Sequence, residues 1–200
     1  MNTIATNRAV FLDRDGVVNA MVYHGEHGIT DSPFTAEQLE LLPHACEAIR
    51  RFHEMGYLVT LVSNQPAIAK GHMSQQTFEE IVQKMKVELD KGKAFIDAEY
   101  YCFHHPEAKV DGLKTICECR KPKPGLLLQA AKDMDIDLSQ SFMIGDGLTD
   151  IRAGKDAGTN TILFGRMKCE LCHQMDEEDA RPDVICSNLS EAITIVRNAV

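Results

Sequence analysis

The chain has 200 residues, 44% of them hydrophobic, and a formal net charge of −9. That size suits one domain with a core of its own, expected to run over residues 1–200, and the acidic balance argues against a nucleic-acid partner, since phosphate backbones are held mainly by Lys and Arg. No apolar run is long enough to span a bilayer, and seven cysteines behind an N-terminus with no secretory apolar stretch point to reduced thiols or metal ligands in a cytoplasmic protein.

Short apolar strands alternate with helical patterns along the chain. "AVFL" at 9–12 reads as a buried strand that ends in "DRDG", which places Asp13 and Asp15 two apart with a glycine behind them. The stretch "AMVYHGEHGITDSP" reads as a loop overhanging that strand end, with His24 and His27 on it. "HACEAIRRFHEMG" carries helical apolar spacing at Ala45, Ala48, Ile49 and Phe52, and Gly56 stands just past its end. "YLVTLVSN" is a nearly continuous apolar run, as expected of a strand covered on both faces. Ser74 is placed to cap a helix that repeats Phe78, Ile81, Val82, Met85 and Leu89 and stops at Gly92. "AEYYCF" predicts a strand, "PGLLLQAAKDMD" a helix opened by Pro124, "SFMIGD" a strand, and "TDIRAGKDAG" a helix. "TNTILFG" and "PDVICS" predict two further strands, and "NLSEAITIVRNAV" a closing helix. The alternation implies an α/β fold, a Rossmann-like doubly wound parallel sheet with helices on both faces.

In such sheets the ligand sits beyond the carboxyl ends of the strands. Polar residues gather there: Asp13 with Asp15, Ser63 with Asn64, and Asp146. A lone "DRDG" reads equally well as a turn. Carboxylates collected at one sheet edge repel one another unless a cation sits among them, and oxygen ligands of this kind suit Mg²⁺ with a substrate phosphate. The stretch "CFHHPEAKVDGLKTICEC" adds a Cys-x-His and a Cys-x-Cys, enough for a closed tetrahedral Zn²⁺ site, with both His104 and His105 available as the imidazole.

The stretches "FLDRDGVVN", "VSNQ", "CRKPKPG" and "IGDGLTD" resemble, in order and spacing over about residues 8–165, the haloacid dehalogenase superfamily of phosphohydrolases. Within it the chain is similar to the heptose bisphosphate and histidinol phosphate phosphatase group. The resemblance implies a small-molecule phosphorylated substrate and no large cap domain. It makes Asp13 the nucleophile that forms an aspartyl phosphate, and Asp15 the general acid and base, able to hold a proton because other carboxylates are near. It assigns Mg²⁺ to Asp13, Asp146 and the backbone carbonyl of Asp15, and Zn²⁺ to Cys102, His104, Cys117 and Cys119. Ser63, Asn64 and Gln65 are expected beside the substrate, Lys121 on the phosphate and Arg120 as a neighbouring contact. The zinc loop is expected to be structural, to place Arg120 and Lys121, and to roof an open site in part.

Asp150 reads equally as an acid behind the metal ligands or as a helix cap. Cys169 and Cys172 of "CELCH" read as a local turn with free thiols. Two departures from the group's pattern stand out. Gly147 occupies a place where a basic residue is common, and Pro66-Ala67 follow "SNQ" where Ser-Gly is common. The expected reaction is removal of the 7-phosphate of a heptose 1,7-bisphosphate by a monomer. Histidinol phosphate is the alternative, since that activity often occurs fused to a second enzyme whereas this chain stands alone. A non-catalytic zinc-stabilised scaffold is the reading from another class.

Overall fold

A computed structural model describes residues 7–165, 175 and 177–199. Cys169 and Cys172 lie outside the described residues. The main sheet has the strands β1 (Ala9–Leu12), β4 (Leu58–Asn64), β5 (Ala98–Cys102), β6 (Phe142–Gly145), β7 (Asn160–Phe164) and β8 (Val184–Cys186). Its order is β5-β4-β1-β6-β7-β8, and every pairing is parallel. The helices are α1 (Ala45–Glu54), α2 (Gln75–Lys91), α3 (Gly125–Met134), α4 (Leu148–Ala157) and α5 (Leu189–Asn198). None of the described helices is long and apolar enough to cross a membrane.

Successive residues of a strand face opposite sides of the sheet, and β1 shows what that requires of a central strand. Val10 and Leu12 join a core with Ile49 and Phe52 of α1, Ile81 and Met85 of α2, and Ile193 and Val196 of α5. Ala9 and Phe11 face the other way, onto Leu126, Leu127 and Ala130 of α3 and Ala153 of α4. Both faces are therefore covered, which explains the unbroken apolar runs of the sequence. The caps hold as well: the Ser74 hydroxyl accepts from the Thr77 N–H at the start of α2.

The chain winds from β1 outward to β4 and β5, then returns to β6 on the other side of β1 and winds outward again. The order reverses between β1 and β6, which opens a crevice at their carboxyl ends. Asp13 and Asp146 follow those two ends. The predicted loop after β1 differs from expectation. It forms an antiparallel hairpin, β2 (Val22–His24) with β3 (Ile29–Asp31), and His24 stacks on Phe34 with ring centroids 3.6 Å apart. Three-residue strands of mixed polarity leave no periodic signal.

Candidate active site

Asp13 carries the β1 ladder one residue further, its N–H donating to the Ile144 carbonyl at 3.0 Å. Its carboxylate, 14% exposed, accepts from the Arg14 N–H at 2.7 Å and pairs with the Lys121 ammonium at 3.0 Å. Burial pushes Asp13 up to about 6; Lys121 opposes the rise, and Asp150 and Asp15 add to it. Gly16 permits the close packing behind the acids. Its φ is +86°, and a Cβ there would overlap the Asp146 carboxylate, so the turn after Asp15 excludes any side chain.

Lys121 is the cation of the cluster. It is 2% exposed and bonds the Val62 carbonyl at 2.8 Å, Asp13 at 3.0 Å and Asp150 at 2.6 Å. Asp150 also accepts from the Gly147 N–H at 3.0 Å, so it does both jobs the sequence left open: it closes the first turn of α4 and it holds the lysine. Asp146 is exposed at the mouth of the crevice. Desolvation by the surrounding walls and then the charges of Asp13 and Asp150 push it up to about 7. Oxygens of Asp13, Asp146 and Asp150 lie within 4.8 Å of one another. Three carboxylates beside one ammonium leave uncompensated negative charge, which adds to the burial that raises Asp13 and Asp146. A hard divalent cation fits that donor set.

A second cluster begins one strand away. Asn64 is paired with Cys102 in the register of β4 with β5, so Cys102 reaches the same sheet edge. Cys102, His104, Cys117 and Cys119 bring their ligand atoms within 4.8 Å of one another. The Cys119 Sγ is 3.2 Å from both Cys102 and Cys117, and 3.4 Å from Nδ1 of His104. These separations exceed a disulfide bond of about 2.05 Å. They approach the ~3.8 Å edge of a tetrahedron with ~2.3 Å metal–sulfur bonds. His105 drops out as the alternative ligand, because its Nδ1 accepts from the Glu107 N–H at 3.1 Å.

Comparison with known proteins agrees with this layout. The HAD-hydrolase-like family model matches residues 118–192. A heptose bisphosphate phosphatase of Pasteurella multocida, named D-glycero-beta-D-manno-heptose-1,7-bisphosphate 7-phosphatase, is 41% identical over 78% of this chain and 80% of its own. The chain belongs to the HAD-like hydrolase family. A relative of the same name from Haemophilus ducreyi is 36% identical over 94% of this chain and 98% of its own. Among solved structures, the D,D-heptose 1,7-bisphosphate phosphatase of B. bronchiseptica, complexed with magnesium and phosphate, superposes with a TM-score of 0.76. It is 28% identical and covers 96% of this chain and 99% of that one.

In this HAD-like hydrolase the fold gathers Asp13, Asp15, Ser63, Lys121 and Asp146 at one edge, and two expectations change. Asn64 was expected beside substrate, but its amide is spent on the Lys121 backbone, donating to the carbonyl at 2.9 Å and accepting from the N–H at 3.0 Å. Gln65 was expected there too, yet it is 1% exposed and donates to Asp15 at 2.6 Å and to the Ser63 hydroxyl at 3.1 Å. Asp15 is expected as the general acid and base. Its carboxylate sits among donors from Arg14, Asn19 and Gln65. The Arg120 guanidinium donates to the His104 carbonyl at 3.2 Å, which ties the sulfur loop to the residue before Lys121. Arg14 and Asn19 escaped the sequence reading, and only the placement of Arg14 between two acids hinted at a partner.

Proposed function

We propose that this phosphoric monoester hydrolase removes the 7-phosphate of a D-glycero-D-manno-heptose 1,7-bisphosphate through an aspartyl phosphate on Asp13. The observation that carries the reading is the junction of Asp13, Asp146 and Asp150 with the buried Lys121 at the crevice between β1 and β6. Asp13, ionised, attacks phosphorus while the Lys121 ammonium and the Ser63 hydroxyl neutralise and orient the phosphoryl oxygens. Asp15 gives its proton to the departing alkoxide and then takes one from the water that cleaves the acyl phosphate. Mg²⁺ held by Asp13 and Asp146, beside Asp150 and the Asp15 carbonyl, would supply the positive charge this cluster lacks. Zn²⁺ on Cys102, His104, Cys117 and Cys119 would have all its positions filled by protein and would hold the loop that carries Arg120 and Lys121.

The curated relatives, named as heptose bisphosphate phosphatases, favour a bisphosphate over histidinol phosphate. The curated relatives' names specify the β anomer, and the reading extends it to this chain. Phosphate release from the heptose bisphosphate, histidinol phosphate and an aryl phosphate tests the proposal. The heptose substrate should turn over fastest, with Mg²⁺ and not with chelator. Faster turnover of histidinol phosphate, or turnover indifferent to Mg²⁺, overturns it.

A further inference from the structure

Among the described residues Arg14 is the largest fully buried side chain, with 0% exposure. A guanidinium taken out of water is costly unless its donors are met. Its Nε lies 3.2 Å from both oxygens of Asp15, and its Nη2 donates to Asp15 Oδ1 at 3.0 Å and to Gln65 Oε1 at 2.9 Å. Gln65 closes the ring by donating to Asp15 Oδ2 at 2.6 Å and to Ser63 Oγ at 3.1 Å. Asn19 adds a third direction, donating to Asp15 Oδ1 at 2.9 Å. Behind the guanidinium stands Phe78, with its ring centroid 5.4 Å from the Arg14 carbon, and Tyr101 and Phe103 pack edge-on against that ring. The remaining Nη1 is buried with no protein partner. A core built for stability alone would not hold a half-satisfied guanidinium at this point, where apolar residues of similar volume do as well or better.

We infer that Arg14 is a positioning residue: its fork, closed by Gln65, fixes the plane of the Asp15 carboxylate for proton transfer. The inference rests on the general acid and base role proposed above for Asp15. A carboxylate on a strand end is free to turn about its last bond, and a two-pronged guanidinium removes that freedom where a point charge does not. Oδ1 takes the Nη2 and Asn19 bonds. Oδ2 takes the 2.6 Å bond from Gln65 and shares the Nε contact at 3.2 Å with Oδ1, so both oxygens are held in the plane of the fork. The same Gln65 amide touches Ser63, so the acid and the phosphate-binding hydroxyl are set by one side chain.

The test compares Arg14→Lys and Gln65→Met with Asp15→Asn, each on a sugar phosphate and on an aryl phosphate, with melting curves to confirm the fold. A sugar alkoxide needs a proton to leave and an aryl oxide does not. Arg14→Lys should cut kcat on the sugar phosphate by about 10- to 100-fold, the cost of a small misplacement of a catalytic group. It should leave KM nearly unchanged and spare the first burst of phenol. In the Asp15→Asn background it should cost nothing further, because it acts only through Asp15. Gln65→Met should give a smaller loss of the same kind and keeps the test open if Arg14→Lys does not fold. Equal losses on both substrates, or losses that multiply with those of Asp15→Asn, overturn the positioning role while Asp15 stays the acid. An Asp15→Asn variant that shows no leaving-group dependence overturns the role of Asp15 itself, and this inference falls with it.

Discussion

The carboxylate cluster draws Asp13 from the end of β1, Asp146 from the end of β6 and Asp150 from the first turn of α4. The thiol cluster draws Cys102 from the end of β5, and His104, Cys117 and Cys119 from the one loop that follows. The first is assembled by the whole sheet and keeps a face open to solvent at Asp146. Its charges do not balance, so it has a use for a cation and for whatever the cation brings. The second is local in sequence and surrounds its own centre with four donors. One cluster is poised to exchange ligands and the other to keep one. They meet at Lys121, whose backbone is gripped by Asn64 and whose ammonium holds Asp13 and Asp150.

The largest effect should come from the cluster that reacts. Asp13→Asn replaces the attacking oxygen with an amide that cannot form the acyl phosphate. Turnover should fall by more than about a thousandfold, as loss of a covalent catalyst does. The melting temperature should hold, because the variant loses a desolvated charge along with an ion pair. Residual turnover above that level, measured on any phosphate monoester, assigns the attack to another group.

Cys119→Ser asks whether the thiol cluster serves the carboxylate cluster. Purified wild type should hold near-equimolar zinc after dialysis, and the variant should hold less. Its melting temperature should drop by at least about 4 °C, the equivalent of roughly 1–2 kcal/mol at this chain length. Activity should fall with it, since the loop that carries Lys121 loses its anchor. Full activity in a zinc-depleted variant would separate the two clusters.

Mg²⁺ and pH sharpen the contrast in charge. Asp13 and Asp146 titrate near 6 and 7, above the usual carboxyl value. Between about pH 4 and 7 the unfolded chain has already lost protons that the folded chain keeps, so the metal-free protein loses stability as pH rises through that window. Lys121 is shifted upward, so its contribution is complete throughout the window and leaves the sign unchanged. Mg²⁺ should therefore raise the melting temperature more at pH 8 than at pH 5, by a few degrees, about 2–4 °C for each kcal/mol. A shift larger at pH 5 would contradict the charge imbalance of the carboxylate cluster.

The two clusters were also unequally legible. The Cys-x-His and Cys-x-Cys of the second cluster were visible in the spacing, which left His104 and His105 open, and the resemblance to the family named His104 with Cys102, Cys117 and Cys119. The strands β1, β4 and β6 were legible because a doubly covered strand must be a continuous apolar run, and their ends gave Asp13, Ser63 and Asp146. The partners of those residues were not. Arg14 between two acids looks solvated until the fold buries it against Phe78. Asn64 and Gln65 are polar residues at a strand end, and nothing local says that one would turn to Lys121 and the other to Asp15. The hairpin over Val22–Asp31 was hidden by strands too short to alternate.

The smallest expected effect tests where the clusters join. Asn64→Ala removes two hydrogen bonds to the Lys121 backbone, at 2.9 and 3.0 Å. Net bonds of this kind are worth ~0.5–1.5 kcal/mol each, so the protein should lose about 1–3 kcal/mol of stability. Displacing the ammonium slightly should cost about tenfold in turnover, the equivalent of 1.4 kcal/mol in the barrier. The pattern across substrates matters more than the size. If Asn64 serves Lys121, every phosphate monoester suffers alike, because the phosphoryl group is common to all. If its amide reaches the sugar, KM rises for the heptose substrate and an aryl phosphate is untouched. Kinetics of the variant on both substrates separate the two, and a loss confined to the sugar would return Asn64 to a place beside the substrate.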